Sequence, residues 1–276
     1  MLGKLLKYEM KAVVKPMVFL NALVIFSTLI GFFYVMKVDV GNIVENENDI
    51  RYSGMMLLGF LYIAGVALTY FISYILLLLR YGKSMYGANG YLSWTLPVKR
   101  RTLIHAKMLN GILWNFWNTA LCFACVIWLI ALFMTKAGIN LGELFRAISP
   151  AILHHFMLPT VAIVCINVFT VIFIGYFCIT VGQLMREHKV LGTIVSFVGV
   201  YIVQQVATTV VMLAGGFFSF MNDPNFQTIM NSGELKYTFW QFYDSLFLGQ
   251  IIILLVFAAV TYTCCHLIPR KRINLD

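Results

Sequence analysis

The stretch MMLLGFLYIAGVALTYFISYILLLL, residues 55–79, sets the class of fold. It carries no charged side chain from end to end. A helix rises about 1.5 Å per residue, so a helix of this length crosses the roughly 30 Å hydrocarbon core of a bilayer. The stretch therefore predicts a transmembrane helix, and the polar segment that follows it begins at Arg80.

The rest of the chain repeats this pattern. Hydrophobic residues make up 61% of the 276 residues and charged residues only 11%, which leaves too little polar surface for a soluble protein. We predict an all-α polytopic membrane protein that forms one transmembrane domain, residues 1–276. Its six spans are expected at about residues 17–36, 55–79, 112–134, 153–181, 190–213 and 246–268.

The distribution of basic residues predicts the orientation of these spans. Of the 20 lysine and arginine residues, 15 fall on one side of the predicted threading and 5 on the other. Basic residues close to span ends are retained in the cytoplasm, so we expect both termini to be cytoplasmic. Residues 1–16 place leucines and lysines at near-helical spacing and end at Pro16. They predict an amphipathic helix in the cytoplasmic interface, with the proline turning the chain into the membrane.

Several kinds of chemistry find no support in the sequence. The formal net charge of +9 follows from the orientation rule and from attraction to anionic lipid in the bilayer, so we expect no nucleic-acid partner. Gly82-Lys83-Ser84 ends like a phosphate-binding loop, but Leu77 stands where that motif needs its first glycine. We therefore predict that this chain is not an enzyme and holds no cofactor. No ionisable residue lies in the middle of a span, which argues against an ion-coupled carrier.

The cysteines and histidines predict no metal or redox site. All six cysteines lie inside predicted spans. Cys122 and Cys125 have C-x-x-C spacing, but an apolar helix gives them no polar partners, so we interpret them as packing residues. His154 and His155 are adjacent at one end of the fourth span, and we interpret them as interfacial side chains.

The most specific pattern lies between the second and third spans. Gly-Tyr-Leu at 90–92 is followed by Trp-Thr-Leu-Pro-Val at 94–98 and by Ala-Lys at 106–107. This segment resembles the first cytoplasmic loop of ABC-2-type transporter permeases, especially those of Gram-positive bacteria. Gly-Gln-Leu at 182–184 resembles their second inner loop, and Leu-Lys-Tyr-Glu at 6–9 resembles their basic N-terminal stretch.

The resemblance implies a function, partners and a location. The chain would be the permease subunit of an ABC exporter in a bacterial plasma membrane, paired with itself or with a related permease. Separate cytoplasmic ATPase subunits would bind ATP and magnesium and dock on short coupling helices, at residues 91–97 and 183–189. The implied ATPase-coupling residues are Tyr91, Leu92, Trp94, Leu96, Pro97, Gln183, Glu187 and His188.

Polar residues inside the spans are candidates for a substrate path. In the fifth span, Gln204 and Gln205 each stand four residues before a threonine, so two helix faces are polar. The candidate path residues are Gln204, Gln205, Thr208, Asn115 and Asn118. The alternative is that such groups form only hydrogen bonds between helices, which contribute about 0.6 kcal/mol on average in a membrane.

Two functions from other classes are also compatible with the sequence. The chain could be a membrane anchor or sensor that transports nothing and recruits a cytoplasmic protein, or an integral membrane enzyme with an unrecognised site. An ATPase gene beside this one would favour transport, whereas a kinase or regulator gene would favour sensing.

Overall fold

The computed structural model is almost entirely helical in the part of the chain that it describes. This part comprises residues 2–37, 50–87, 90, 99–140, 142, 146, 152–185, 188–214 and 237–271. The helices are α1 (Leu2–Lys37), α2 (Ile50–Tyr86), α3 (Arg100–Lys136), α4, α5 (Lys189–Ala214) and α6 (Tyr237–Lys271). Helix α4 begins as a π-helical turn, Leu153–Met157, and continues as an α-helix, Leu158–Gly182.

Six helices of the described residues are long and apolar enough to cross a membrane, as the sequence predicted. The first three are longer than their predicted spans, with 36, 37 and 37 residues. At about 1.5 Å per residue each measures about 55 Å, so part of each helix extends beyond a hydrocarbon core of roughly 30 Å. The chain is therefore a multi-pass membrane protein by the length and composition of its helices.

Helix α1 differs from the prediction at its proline. The sequence predicted that an interfacial helix ends at Pro16, but α1 continues through Pro16 without a break. A proline inside a helix removes one backbone hydrogen bond. Packing offsets this loss, because Val13 and Met17 on either side of the proline are both buried. Helix α1 is therefore continuous over residues 2–37, and the position of residues 2–15 in the interface stays a prediction.

The chain divides into two compact units of three helices each. The first unit comprises Met1–Ser84 and Leu92–Ile148, and the second comprises Met85–Tyr91 and Ser149–Asp276. Helices α1 and α3 and most of α2 belong to the first unit. Helices α4, α5 and α6 belong to the second.

Within the first unit, α1 and α3 pack in parallel with a constant register. At one end Glu9 pairs with Lys107, and further along the hypothetical Cβ of Gly31 lies 2.6 Å from Leu129 Cδ1. Both pairs are separated by 98 residues in the sequence. Helix α2 completes the packing through Val66, which shares a buried cluster with Val24 of α1 and Cys122 of α3.

The second unit follows the same internal plan, with its first and third helices in parallel contact. His155 of α4 pairs with Asp244 of α6, and the rings of Phe173 and Tyr262 lie 5.6 Å apart further along. Helix α5 is the most exposed helix of this unit, and Gly192 is the only buried residue along it. A Cβ atom on Gly192 would lie 3.2 Å from the Cα atom of Gly182, so the end of α4 and the start of α5 are in close contact.

Candidate functional site

Helix α3 buries a polar face in the first unit. Lys107, Asn110, Asn115 and Asn118 are all buried, although they lie on a helix that is apolar enough to cross a membrane. Their spacing of three to five residues places them on one side of the helix. Phe116, on the opposite side, is 52% exposed. The helix therefore turns its apolar side outward, as a membrane helix should, and its polar side into the unit.

Asn115 is fixed by a contact with α2. The hydroxyl of Tyr70 donates a hydrogen bond to Asn115 Oδ1 at 3.1 Å. The backbone carbonyl oxygen of Asn115 accepts a hydrogen bond from the Thr119 hydroxyl at 2.7 Å. Two turns before Tyr70 on the same helix, the Tyr62 hydroxyl shares a hydrogen bond of 2.9 Å with Thr28 of α1. Helix α2 thus contributes two aromatic hydroxyl groups that hydrogen-bond to its neighbours.

Four other buried polar atoms, one on α1 and three on α3, have no hydrogen-bond partner among the described residues. They are the Oδ1 atoms of Asn21, Asn110 and Asn118 and the Nε1 atom of Trp114. Leaving a buried polar group without a hydrogen bond costs about 1–3 kcal/mol, and most such groups in proteins are satisfied by protein or by ordered water. These four atoms can therefore bind water, a polar ligand or both.

The register of α1 against α3 places Asn21 and Asn118 at the same depth. Val24 packs in one cluster with Cys122, and these two residues are again 98 apart in the sequence. Asn21 lies one turn before Val24, and Asn118 lies one turn before Cys122. The buried side-chain amides of Asn21 on α1 and Asn118 on α3 thus lie at about the same depth in the first unit. We call the following residues the polar seam: Asn21, Tyr70, Asn110, Trp114, Asn115 and Asn118.

An ion pair stands at one end of the polar seam. The ammonium group of Lys107 donates hydrogen bonds to the Glu9 carboxylate of α1 and to the Ser84 hydroxyl of α2. The side chain of Lys107 is 3% exposed and that of Glu9 is 17% exposed. A buried charge is tolerated only with a partner, so this contact satisfies both groups. Lys107 lies one helical turn before Asn110, the first residue of the seam on α3.

The sequence had predicted part of this site. Asn115 and Asn118 were candidate path residues, and both are buried in the seam, at 2% and 3% exposure. Asn21, Tyr70 and Trp114 were not predicted. The four-residue steps from Asn110 to Trp114 and from Trp114 to Asn118 are a signal that could have added the tryptophan to the set.

The predicted path residues of α5 belong to the second unit, whereas the seam belongs to the first. Gln204 and Thr208 are half-buried, and Gln205 is exposed. The Thr208 hydroxyl donates to the backbone oxygen of Gln204 at 3.0 Å, so it is satisfied inside its own helix. A role for α5 in a substrate path stays a prediction.

The predicted coupling residues are only partly described. Gln183 and His188 lie in the connection between α4 and α5, where Gln183 is half-buried and His188 is exposed. The backbone N–H of Gln183 donates to Ile179 at 3.1 Å, and the carbonyl of His188 accepts from Gly192 at 2.9 Å. These hydrogen bonds lie at the end of α4 and at the start of α5. The other coupling residues lie outside the described residues: Tyr91, Leu92, Trp94, Leu96, Pro97 and Glu187.

The second unit carries one further polar pair at the start of α4. His155 Nδ1 lies 2.8 Å from Asp244 Oδ2 beside the rings of Phe156 and Tyr243, which are 6.4 Å apart. Within the described ranges no group of three or more histidine, cysteine, aspartate or glutamate residues could hold a metal ion. All six cysteines are free. Comparison with protein-family models, curated proteins and solved structures finds no match.

Proposed function

We propose that this chain is the membrane permease subunit of an ABC-type transporter, an exporter driven by separate ATPase subunits. The observation that carries the proposal is the polar seam, because it places unsatisfied polar atoms inside a unit of apolar helices. The resemblance of residues 90–98 to a permease loop supplies the class of transporter. The fold supports the proposal because its six long helices can span a membrane.

The chemistry of the seam suits a moving substrate better than a fixed structural contact. A purely structural asparagine in a membrane helix would keep both its donor and its acceptor engaged with a neighbouring helix. Asn21, Asn110 and Asn118 instead have acceptor atoms without partners in the described part of the chain. A substrate group or water molecule could exchange hydrogen bonds with them in turn without displacing a protein contact. The seam would therefore allow a hydrogen-bonding molecule to pass through an apolar environment.

The transport cycle would take its energy from another chain. The sequence lacks a complete phosphate-binding loop, so the partner ATPase would bind ATP and magnesium. That partner would dock on residues 91–97 and on the connection that carries Gln183 and His188. Trp94 would be its main anchor, because aromatic side chains seated in partner pockets dominate many interfaces.

The permease would pair with a second permease chain, identical or related. Helix α5 supports this step, because its exposed Gln205 lies near the middle of a helix that is apolar enough to span the bilayer. An amide facing hydrocarbon is unfavourable unless a neighbour accepts its hydrogen bonds. A second permease would supply such a neighbour, and the path residues Gln204 and Thr208 would then lie at or beside the interface.

Co-purification with the ATPase encoded nearest to this chain tests the proposal. The two proteins are expressed together, and the tagged permease is isolated in a mild detergent. We expect the ATPase to co-purify and ATP hydrolysis to require it. Trp94→Ala should weaken the association roughly 30-fold, the equivalent of about 2 kcal/mol. Trp240→Ala, on the predicted outer side, is the matched control and should bind like the unaltered chain.

Three results would contradict the proposal. The first is hydrolysis by the isolated permease, verified as a single chain. The second is the absence of any ATPase from the purified complex. The third is recovery of a kinase or regulator in its place, which would indicate an anchor or sensor.

A further inference from the structure

The contact around Lys107 joins all three helices of the first unit at one point. Lys107 belongs to α3, Glu9 to α1 and Ser84 to α2, and both oxygen groups accept hydrogen bonds from the same ammonium group. Glu9 and Lys107 are 98 residues apart in the sequence. The contact therefore depends on the packing of the helices and not on a local turn.

The position of this contact relative to the polar seam gives it a functional meaning. Asn110 lies one turn from Lys107 towards the interior, and its Oδ1 atom is buried without a partner among the described residues. On the other side of the contact the helix continues only to its first residue, Arg100. A molecule that leaves the seam along α3 in this direction must pass the level of Glu9, Ser84 and Lys107.

The contact also fixes the register that assembles the seam. The same separation of 98 residues recurs at the Val24–Cys122 and Gly31–Leu129 contacts. A slip of α1 by one turn, about 5.4 Å, would break the ion pair and move Asn21 away from the level of Asn118. The ion pair and the seam therefore cannot be rearranged independently.

We propose that Glu9, Ser84 and Lys107 form a gate that closes one end of the polar seam. This inference rests on the proposed function and names the residues that control access to its path. In the closed state the ammonium and carboxylate groups neutralise each other and hold α1, α2 and α3 together. Opening separates Glu9 from Lys107, admits water to both charges and exposes Asn110. By the predicted orientation the gate faces the cytoplasm, the side on which an exporter receives its substrate.

A gate differs from a merely structural ion pair in one testable respect. Opening a gate changes the accessibility of the seam to water, in addition to the stability of the unit. A structural pair that broke would loosen the whole unit. A gate that opens exposes the seam but leaves the outward face of α3 unchanged. Asn110 reports on the seam, and Leu113, which is 46% exposed one turn further along the same helix, reports on the outward face.

Thiol labelling in nanodiscs separates these cases. The six native cysteines are replaced, and Asn110→Cys or Leu113→Cys is introduced as the single reporter. A charged, membrane-impermeant methanethiosulfonate reagent is the probe, because it needs a water-exposed thiolate. We expect Glu9→Gln to raise the labelling rate of the Asn110 reporter at least tenfold. The rate of the Leu113 reporter should stay within about twofold.

The exchange of charges is the second arm of the experiment. Glu9→Lys combined with Lys107→Glu exchanges the two charges and restores an ion pair between α1 and α3. This variant should return the labelling rate of the Asn110 reporter towards its slow value. If the exchanged chain is not recovered as monodisperse protein, Glu9→Asp takes its place. This variant keeps the carboxylate on a shorter side chain and should accelerate labelling less than Glu9→Gln does.

The gate is overturned by any of three results. One is that Glu9→Gln leaves the labelling rate of the Asn110 reporter unchanged. Another is that Glu9→Gln raises the labelling rate of the Leu113 reporter by the same factor. The third is that the charge-restoring variant labels as fast as Glu9→Gln. Each would leave the proposed function standing if the ATPase still co-purifies and Trp94→Ala still weakens that association. Failure of co-purification would remove the transporter itself, whatever the labelling rates.

Discussion

The energetic importance of the Glu9–Lys107 pair can be measured in the isolated chain. Replacing Glu9 by leucine removes the carboxylate that pairs with the Lys107 ammonium, which is 3% exposed and also donates a hydrogen bond to Ser84. Breaking a buried ion pair by removing one partner typically costs about 3–5 kcal/mol. Glu9 is 17% exposed, so water already reaches part of the site. We therefore expect a loss near the lower limit, about 3 kcal/mol, for Glu9→Leu.

Removing both charges should cost much less than removing one. Lys107→Met keeps the apolar stem of the lysine, and in combination with Glu9→Leu it leaves no buried charge behind. Replacement of a buried ion pair by apolar residues of similar volume is often neutral or stabilising. We expect the double variant to be within about 1 kcal/mol of the unaltered chain, although each single variant is destabilised.

The assay is equilibrium unfolding of the purified chain in mixed micelles of increasing SDS content. The unaltered chain, two single variants and the double variant form a double-mutant cycle, which isolates the interaction energy of the pair. Lys4→Met, a charge removed from an exposed position of α1, is the control and should change stability little. The opposite result is a double variant in which the two single effects simply add. Additivity would mean that the two charges do not depend on each other.

Three further predictions address other parts of the fold. Tyr70→Phe removes one hydrogen bond to α3 and should destabilise the chain by about 0.6 kcal/mol in the same unfolding assay; a loss above about 2 kcal/mol would contradict this. Gly192→Val places side-chain atoms against the end of α4 and should cost about 1–3 kcal/mol. Gly199→Val, on the same helix with no atom within 4 Å of the added Cβ, should cost far less. Single cysteines at Asn42 and at the exposed His188 test the orientation, since only the first should react with an impermeant reagent outside intact cells.

The six membrane helices could be predicted from sequence because the relevant signal is local. An uncharged stretch such as residues 55–79 can cross a bilayer whatever its neighbours are. The helix ends were less predictable. Hydropathy marks where a helix leaves hydrocarbon, whereas α3 begins at Arg100, well before its apolar run at about residue 112. Pro16 is a second example. A proline often marks the start of a helix, but α1 continues through Pro16, where the neighbouring Val13 and Met17 are buried.

The site was less predictable because it depends on contacts between distant parts of the chain. Asn115 and Asn118 stood out as polar residues in an apolar run, but nothing in the sequence selects Tyr70 as the donor to Asn115. Glu9 lies among lysines of the N-terminal stretch and is indistinguishable there from a solvated acid. Its partner is set by the register of α1 against α3, which arises from side-chain packing along both helices.

Labelling at Asn118 asks whether a polar substrate path runs along the seam. Asn118→Cys is compared with Phe116→Cys, which lies on the outward face of α3, in the complex with its ATPase and without native cysteines. The rate of reaction with an impermeant methanethiosulfonate reagent is measured without nucleotide and after trapping with ATP and vanadate. We expect the Asn118 reporter to react and its rate to differ at least tenfold between the two states, while Phe116→Cys stays unreactive in both. An Asn118 reporter that is inert in every state, or that reacts equally in both, would contradict a substrate path along the seam.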